Sequence, residues 1–484
     1  MKFRYRLLII IPLSIIFVIM APGLILYGQG YRYDWQNKRL SKTGSFFVDS
    51  VPRDAQVLIN GQIPSAPWYQ QLFVYKKFLG LTKINSNTPT VVSNLLPNKY
   101  QLIITKDGYQ PWQKELEIQA EKTTNTGKIY LFLEKIEPEL LLIEKISKLL
   151  SIDNGKQIIY SVYNSGDQTS QIKSIKPDQN PVSPELITKI KGAVLSLEIA
   201  DRYLVAKTAT NFYLINLTNH QEIISLNSLI QSPQKIMLLN NSFYVQSGYK
   251  IYQLDPVTKK NDLFFDLTKI SPIGSLLKDW TIHQDYLLVI KQVANNVYLD
   301  KIKIGSTIEK YNQQSIIFSL LLPNYKFKIN PQQINEEIII LTTEQDFWVI
   351  DPGQKTNYII ARNSAKQIII QSELNQIISY NDFEISLSSA SKEFELWKIK
   401  NVLINRRGNQ INQVICQAGN NYLIIVNKNN TISAIELDGR NVRNYYQLTQ
   451  FNFINNVWTN SNPGYLYVWG KIKNQEGVWR LKVQ

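Results

Sequence analysis

The sequence predicts an all-β chain behind one amino-terminal transmembrane helix, with a small β-sandwich followed by a seven- or eight-bladed β-propeller. Three observations carry that prediction. Residues 7–28 hold no charge, the next 90 or so residues alternate between apolar and polar in short runs, and beyond them a strand-then-turn unit recurs every 37 to 50 residues. Composition sets the bounds. The chain has 484 residues, 44% of them hydrophobic and 19% charged, which supplies enough apolar material for several cores. One cysteine, Cys416, excludes an internal disulfide, and two histidines, His220 and His283, leave little for a histidine metal site.

Leu7–Gly28 reads LLIIIPLSIIFVIMAPGLILYG, and as a helix rising 1.5 Å per residue it would span roughly 33 Å, about the thickness of a bilayer core. Pro12 and Pro22 are tolerated in such helices when neighbouring groups satisfy the freed carbonyls. The run exceeds the apolar stretch of a cleaved signal peptide, and no clean small-x-small cleavage site follows it. Lys2, Arg4 and Arg6 precede it and hold residues 1–6 in the cytoplasm by the positive-inside rule, which puts everything after Gly28 outside the cytoplasmic membrane. Tyr27, Tyr31, Tyr33 and Trp35 cluster at the outer end, where amphipathic rings favour the headgroup layer. Residues 29–43 then form a juxtamembrane linker.

Between residues 44 and 135 the alternation predicts strands over Ser45–Ser50, Gln56–Asn60, Thr90–Ser93, Gln101–Lys106, Gln113–Ile118 and Lys128–Glu134. Asn60-Gly61, Pro97-Asn98 and Asp107-Gly108 supply the turns. Here the residues resemble a known family. Pro52-Arg-Asp-Ala55, Val57, Ile59-Asn60-Gly61, Thr88-Pro89, Leu95-Leu-Pro97-Asn98-Lys99-Tyr100, Gly108-Tyr109 and Trp112 are similar, in order, to the pattern of the PEGA domain. The resemblance implies a surface-exposed β module of a prokaryotic envelope protein, with an adhesion or scaffolding role and no catalytic residues. Two departures stand out. Asn98 replaces the usual glycine of the Leu-x-Pro-Gly turn, and about 26 residues separate Gly61 from Thr88. That insertion, residues 62–87, carries Trp68, Tyr69, Phe73, Tyr75 and Phe78 beside Lys76 and Lys77, a mixture suited to a membrane or partner contact, or to a lid folded back on the sheet.

Residues 138–484 predict the propeller. Strands ending at Ile175, Leu217, Leu254, Ile304, Ile350, Ile399, Leu437 and Leu481 repeat at blade-like spacing. A ring of four-stranded sheets buries face against face what one sheet alone leaves exposed. The Gly-His and Trp-Asp signatures of the Trp-Asp repeat family are absent, so the resemblance is to the architecture only. Trp348, Trp397 and Trp479 fall at one blade position and predict packing between blades. Asp255, Asp351 and Asp438 follow the repeated strands in Asp-Pro or Asp-Gly turns, which fits turn formation better than a calcium rim.

No phosphate-binding loop, nucleophile elbow or zinc-protease motif occurs in the sequence. Ser170-x-x-Lys173 and Ser389-x-x-Lys392 fall in predicted strand or turn, where Lys is not brought beside Ser. The expectation is a non-enzymatic binding or scaffold protein of the envelope, without cofactor or metal, engaging a protein or an anionic glycan. The alternative is an extracytoplasmic enzyme with its site in the propeller channel. The net charge of +15 suits anionic lipid or wall polymers, and its spread along the chain argues against nucleic acid.

Overall fold

The computed structural model describes residues 3–35, 37–64, 86–179, 181–220, 222–239, 242–304, 315–330, 337–354, 358–394, 396–417, 421–460 and 462–484. An α-helix runs over Phe3–Gly28. Its side chains are described from Ile11 onward, apart from Pro12 and Ile19, and among the described residues no helix is long and apolar enough to cross a membrane. A two-stranded hairpin, Tyr31–Asp34 against Arg39–Lys42, follows directly.

Two three-stranded sheets come next. In one, Gly44–Val51 lies between Thr90–Leu95 and Thr123–Tyr130, pairing antiparallel with the first and parallel with the second. In the other, Asn98–Thr105 lies between Gln56–Ile59 and Trp112–Ile118. Phe46, Val48, Val57, Leu102, Ile104 and Trp112 are fully buried between them. The alternation is clearest in Gly44–Val51 and in Trp112–Ile118, in which every second residue points inward. Asn60 and Gly61 both take positive φ, and Ile59 and Gln62 exchange backbone hydrogen bonds, as a two-residue hairpin requires. Asn98, in the place where the motif has a glycine, does not take the positive φ that glycine would allow. It opens the strand Asn98–Thr105, its Oδ1 accepts from the Lys99 N–H, and the nearby residue with positive φ is Asn94, near the end of the preceding strand.

Eight four-stranded antiparallel sheets follow among the described residues, which settles the number between seven and eight. Sheets one to seven occupy 148–191, 194–225, 235–266, 276–322, 328–364, 367–406 and 411–450, each in simple sequential strand order. Sheet eight is composite: its first three strands span 453–482, and its fourth is Pro138–Leu142, from the start of the region. The hydrophobic clusters show the ring. Consecutive clusters join sheets one and two, two and three, and so on to seven and eight, and a last cluster packs Leu142, Trp458, Tyr467 and Val478 against Ile158 and Tyr160 of sheet one. Tyr422–Asn427 and Thr431–Glu436, the middle strands of sheet seven, are buried along their whole length because neighbouring sheets cover both faces. First strands approach one another between sheets one and two, four and five, and seven and eight, which places them toward the axis.

The closure of this ring depends on a glycine. A Cβ on Gly477 would lie 1.9 Å from the Leu142 carbonyl oxygen, in the backbone of the closing strand. Gly477→Ala is therefore expected to destabilise the chain by about 1–3 kcal/mol, the range for forced overpacking, as read from chemical denaturation. An unchanged midpoint would contradict the closure described here.

The repeat is out of register in one sheet. Ile175, Leu217, Leu254, Ile304, Ile350, Leu437 and Leu481 lie at or next to the ends of third strands, whereas Ile399 lies on the fourth strand of sheet six, Leu396–Arg406. The third strand there is Glu384–Glu393, and the two form the longest hairpin of the ring, so their side-chain pattern repeats twice within one sheet. Trp397 accordingly departs from Trp348 and Trp479: those two are buried on third strands, and Trp397 is half-buried on an outer one.

Candidate functional site

The strand Trp112–Ile118 departs from the alternation rule in one respect, because its inward-facing positions include a lysine. Lys114 is 3% exposed, and what compensates its charge comes from the other domain. Its Nζ lies 2.9 Å from Glu436 Oε2 and 3.4 Å from Asp438 Oδ2, and donates to the Asp438 carbonyl at 2.9 Å. Glu436, itself buried, accepts from Trp112 Nε1 at 3.1 Å through one oxygen and from Asn444 Nδ2 at 2.9 Å through the other. Asp438 is held by the Arg440 guanidinium at 2.8–3.1 Å and by its backbone N–H at 2.9 Å. Arg440 then donates to the carbonyls of Asn125 and Thr126, on the sandwich side. The network is charge-assisted, and its Lys114–Glu436 half is buried, the setting in which such hydrogen bonds are strongest, while Arg440 closes it from the solvent side.

Around it runs an apolar and backbone contact. Phe132 packs edge-on against Tyr422, ring centroids 5.2 Å apart, and against Tyr446 at 5.3 Å. Tyr130 joins the same cluster through Tyr422. The Leu133 N–H donates to the Val483 carbonyl at 2.9 Å, Asn421 Nδ2 to the Lys128 carbonyl at 3.0 Å, and Tyr446 OH to the Pro111 carbonyl at 3.3 Å. All these partners lie on one rim of sheets seven and eight, so the sandwich sits on that rim as part of one body.

The electrostatics follow from burial. For Asp438, desolvation works against ionisation, but the Arg440 hydrogen bonds and the Lys114 charge outweigh it and hold the carboxyl below the usual aspartate range. The same pair raises the Arg440 guanidinium. Burial lifts the Tyr422 and Tyr446 phenols well above the ordinary tyrosine range, so both stay neutral.

Of the three carboxylates at turns, Asp255 accepts from the Val257 N–H and the Thr258 hydroxyl, Asp351 from the Gly353 N–H, and Asp438 belongs to the junction. Each shapes its own turn, and among the described residues no three His, Cys, Asp or Glu side chains cluster to hold a metal. Polar groups on the axial strands bridge neighbouring sheets. Lys235 Nζ reaches Asp279 Oδ1 at 2.5 Å, and Asp279 Oδ2 accepts from the Ile329 N–H at 2.7 Å, linking sheets three, four and five. Gln413 does the same for sheets seven and eight through Asn456 and Val457. Ser170 and Ser389 lie in strands, as their sequence context predicts.

A concave region of about 580 Å³ opens on the same rim at sheets four to six, lined by Tyr286, Lys301, Glu337, Asp351 and Lys392. Burial pulls the Lys301 ammonium down from the ordinary lysine range, against the pull of Glu337 and Asp351. Its Nζ stands 4.3 Å from the centroid of the Tyr286 ring. Hydrogen bonds from Trp397 Nε1 and from Lys392 hold the Glu337 carboxyl low.

Trp68, Tyr69, Phe73, Tyr75 and Phe78, and Lys2 at the amino terminus, lie outside the described residues. Arg4 and Arg6 lie on the backbone of the helix. Tyr27, Tyr31, Tyr33 and Trp35 fall at its end and on the hairpin that follows. The junction was not among the sequence-derived sites. Its one local signal is a lysine at an inward register position of a strand, between Trp112 and Leu116.

Residues 79–131 match the PEGA domain family. No curated protein matches the chain. Among solved structures, it is similar to the C-terminal WD40 domain of Sif2, with 10% identity, 72% of this chain and 98% of that one covered and a TM-score of 0.48. Saccharomyces cerevisiae Sqt1 is similar at 10% identity over 73% of this chain and 98% of that one, with a TM-score of 0.40. The β-propeller domain of Myceliophteria thermophila Cps50 (Swd1) is similar at 10% identity over 72% and 100%, with a TM-score of 0.39.

Proposed function

We propose that this chain is a single-pass protein of the prokaryotic cytoplasmic membrane that presents a PEGA domain and an eight-bladed propeller outside the cell as one rigid binding scaffold. The observation that carries the reading is the buried junction. Lys114, Glu436, Asp438 and Arg440 fix the sandwich to the ring, and a protein partner then meets a surface of constant geometry. The uncharged run of residues 7–28, continuous with the helix Phe3–Gly28, supports the anchor. Lys2, Arg4 and Arg6 support an inside amino terminus. The role is binding of an envelope protein or an anionic glycan rather than catalysis.

Fractionation of cells expressing the full chain tests this reading. The chain is expected in the membrane fraction after alkaline carbonate extraction, and its ring is expected to be cleaved by protease added outside spheroplasts. Release by carbonate, or protection of the ring until the cells are lysed, would contradict it.

A further inference from the structure

The four aromatic residues at the outer end of the helix divide into two groups in space. Tyr27 and Tyr31 are used internally. The Arg32 guanidinium stacks 3.4 Å above the Tyr27 ring, donates to the Tyr27 and Tyr31 carbonyls, and reaches Asn94 Oδ1 at 2.7 Å on the sandwich. Lys42 stands over the Tyr31 ring and pairs with Glu121. These contacts tie helix, hairpin and sandwich together. Tyr33 and Trp35 stay exposed instead. They meet edge-on with centroids 4.8 Å apart, and Leu40 lies directly opposite Tyr33 across the hairpin. Trp35 is 83% exposed, Leu40 54% and Tyr33 43%. This apolar face begins within five residues of the end of the helix, and exposed Lys38 and Arg39 border it at the turn. Asp34, the carboxylate of the hairpin, is buried and accepts from Asn37.

Apolar rings with a cationic margin match a bilayer surface, where the rings enter the headgroup layer and the cations meet lipid phosphates. We propose that the hairpin 31–42 is a docking element for anionic phospholipid, with Tyr33, Trp35 and Leu40 seated in the interface and Lys38 and Arg39 on the phosphates. The proposal rests on the single-span reading above. Through Arg32 and the Lys114 junction, it sets the orientation of both β domains to the membrane.

The test uses the full chain reconstituted into vesicles of phosphatidylcholine, or of phosphatidylcholine and phosphatidylglycerol in equal parts, each with brominated acyl chains. Bromolipid is expected to quench a component of the tryptophan emission that Trp35→Phe removes. That quenching is expected to increase with phosphatidylglycerol, and the increase is lost in Lys38→Gln/Arg39→Gln while carbonate resistance is kept. Quenching of Trp35 by aqueous iodide rather than bromolipid, in a chain that resists carbonate, overturns the docking alone. Equal bromolipid quenching in both compositions overturns the anionic preference. Extraction of the chain by carbonate overturns the span and the docking together.

Discussion

Replacing Lys114 by alanine is expected to destabilise the protein by about 3–5 kcal/mol, the penalty for breaking a buried ion pair from one side. The cost comes chiefly from what remains. Glu436 keeps its Trp112 and Asn444 hydrogen bonds but loses the charge 2.9 Å away, and it stays buried. Urea denaturation measures the loss. Lys135→Ala, which removes an exposed pair with Glu137, is the control and should leave the midpoint unchanged. Acid provides a second arm. The carboxyl of Asp438 is depressed in the folded chain, so its contribution to stability is complete above the unfolded aspartate value of about 3.9 and is lost as pH falls through the lower folded value. The stability difference between the native chain and Asp438→Asn should therefore be constant near neutrality and narrow only below about pH 4. A difference that narrows already near pH 6 would exclude Asp438 as its source.

Trp280→Ala is expected to cost a similar amount, about 3–5 kcal/mol, by a different mechanism. Trp280 is fully buried between sheets three and four, in the cluster that includes Phe265, Leu287 and Ile302, and its Nε1 donates to Gln246 Oε1 at 2.9 Å. Alanine leaves both a large cavity and a buried amide oxygen without its donor. Phenylalanine refills most of the volume but not the hydrogen bond, so Trp280→Phe should fall between the two. Equal midpoints for the native chain and Trp280→Ala would refute the packing between these sheets.

Much of this organisation is readable from local pattern. The sandwich strands follow from period-two alternation, and Asn60-Gly61 marks its hairpin because both residues accept positive φ. Blades are legible where the third strand ends in an apolar residue before a turn, as at Leu254 and Ile350. Sheet six escapes because its third and fourth strands form a hairpin of 10 and 11 residues, and Leu396-Trp397-Lys398-Ile399 imitates on the outer strand what other sheets place on the third. The closing strand Pro138–Leu142 has no local mark of its role, since its partner lies more than 330 residues away in sequence. The junction is hidden for the same reason. Lys114 signals a problem in its own strand, but its solution, Glu436 and Asp438, is set by the path of the whole ring. The hairpin aromatics are visible in the sequence, yet only the structure separates Tyr27 and Tyr31, which brace Arg32 and Lys42, from Tyr33 and Trp35, which stay exposed.

Whether sandwich and ring move as one rigid body is read from a pulsed electron-spin distance measurement. Spin labels are placed on Val91→Cys in the sandwich and Val257→Cys in sheet three, both exposed sites. Cys416 stays in place, because burial pushes its thiol up to about 11 and leaves little reactive thiolate. A single narrow distance distribution is expected in the full chain, and it broadens in Lys114→Ala. A broad or two-peaked distribution in the chain with an intact Lys114 would contradict a rigid body.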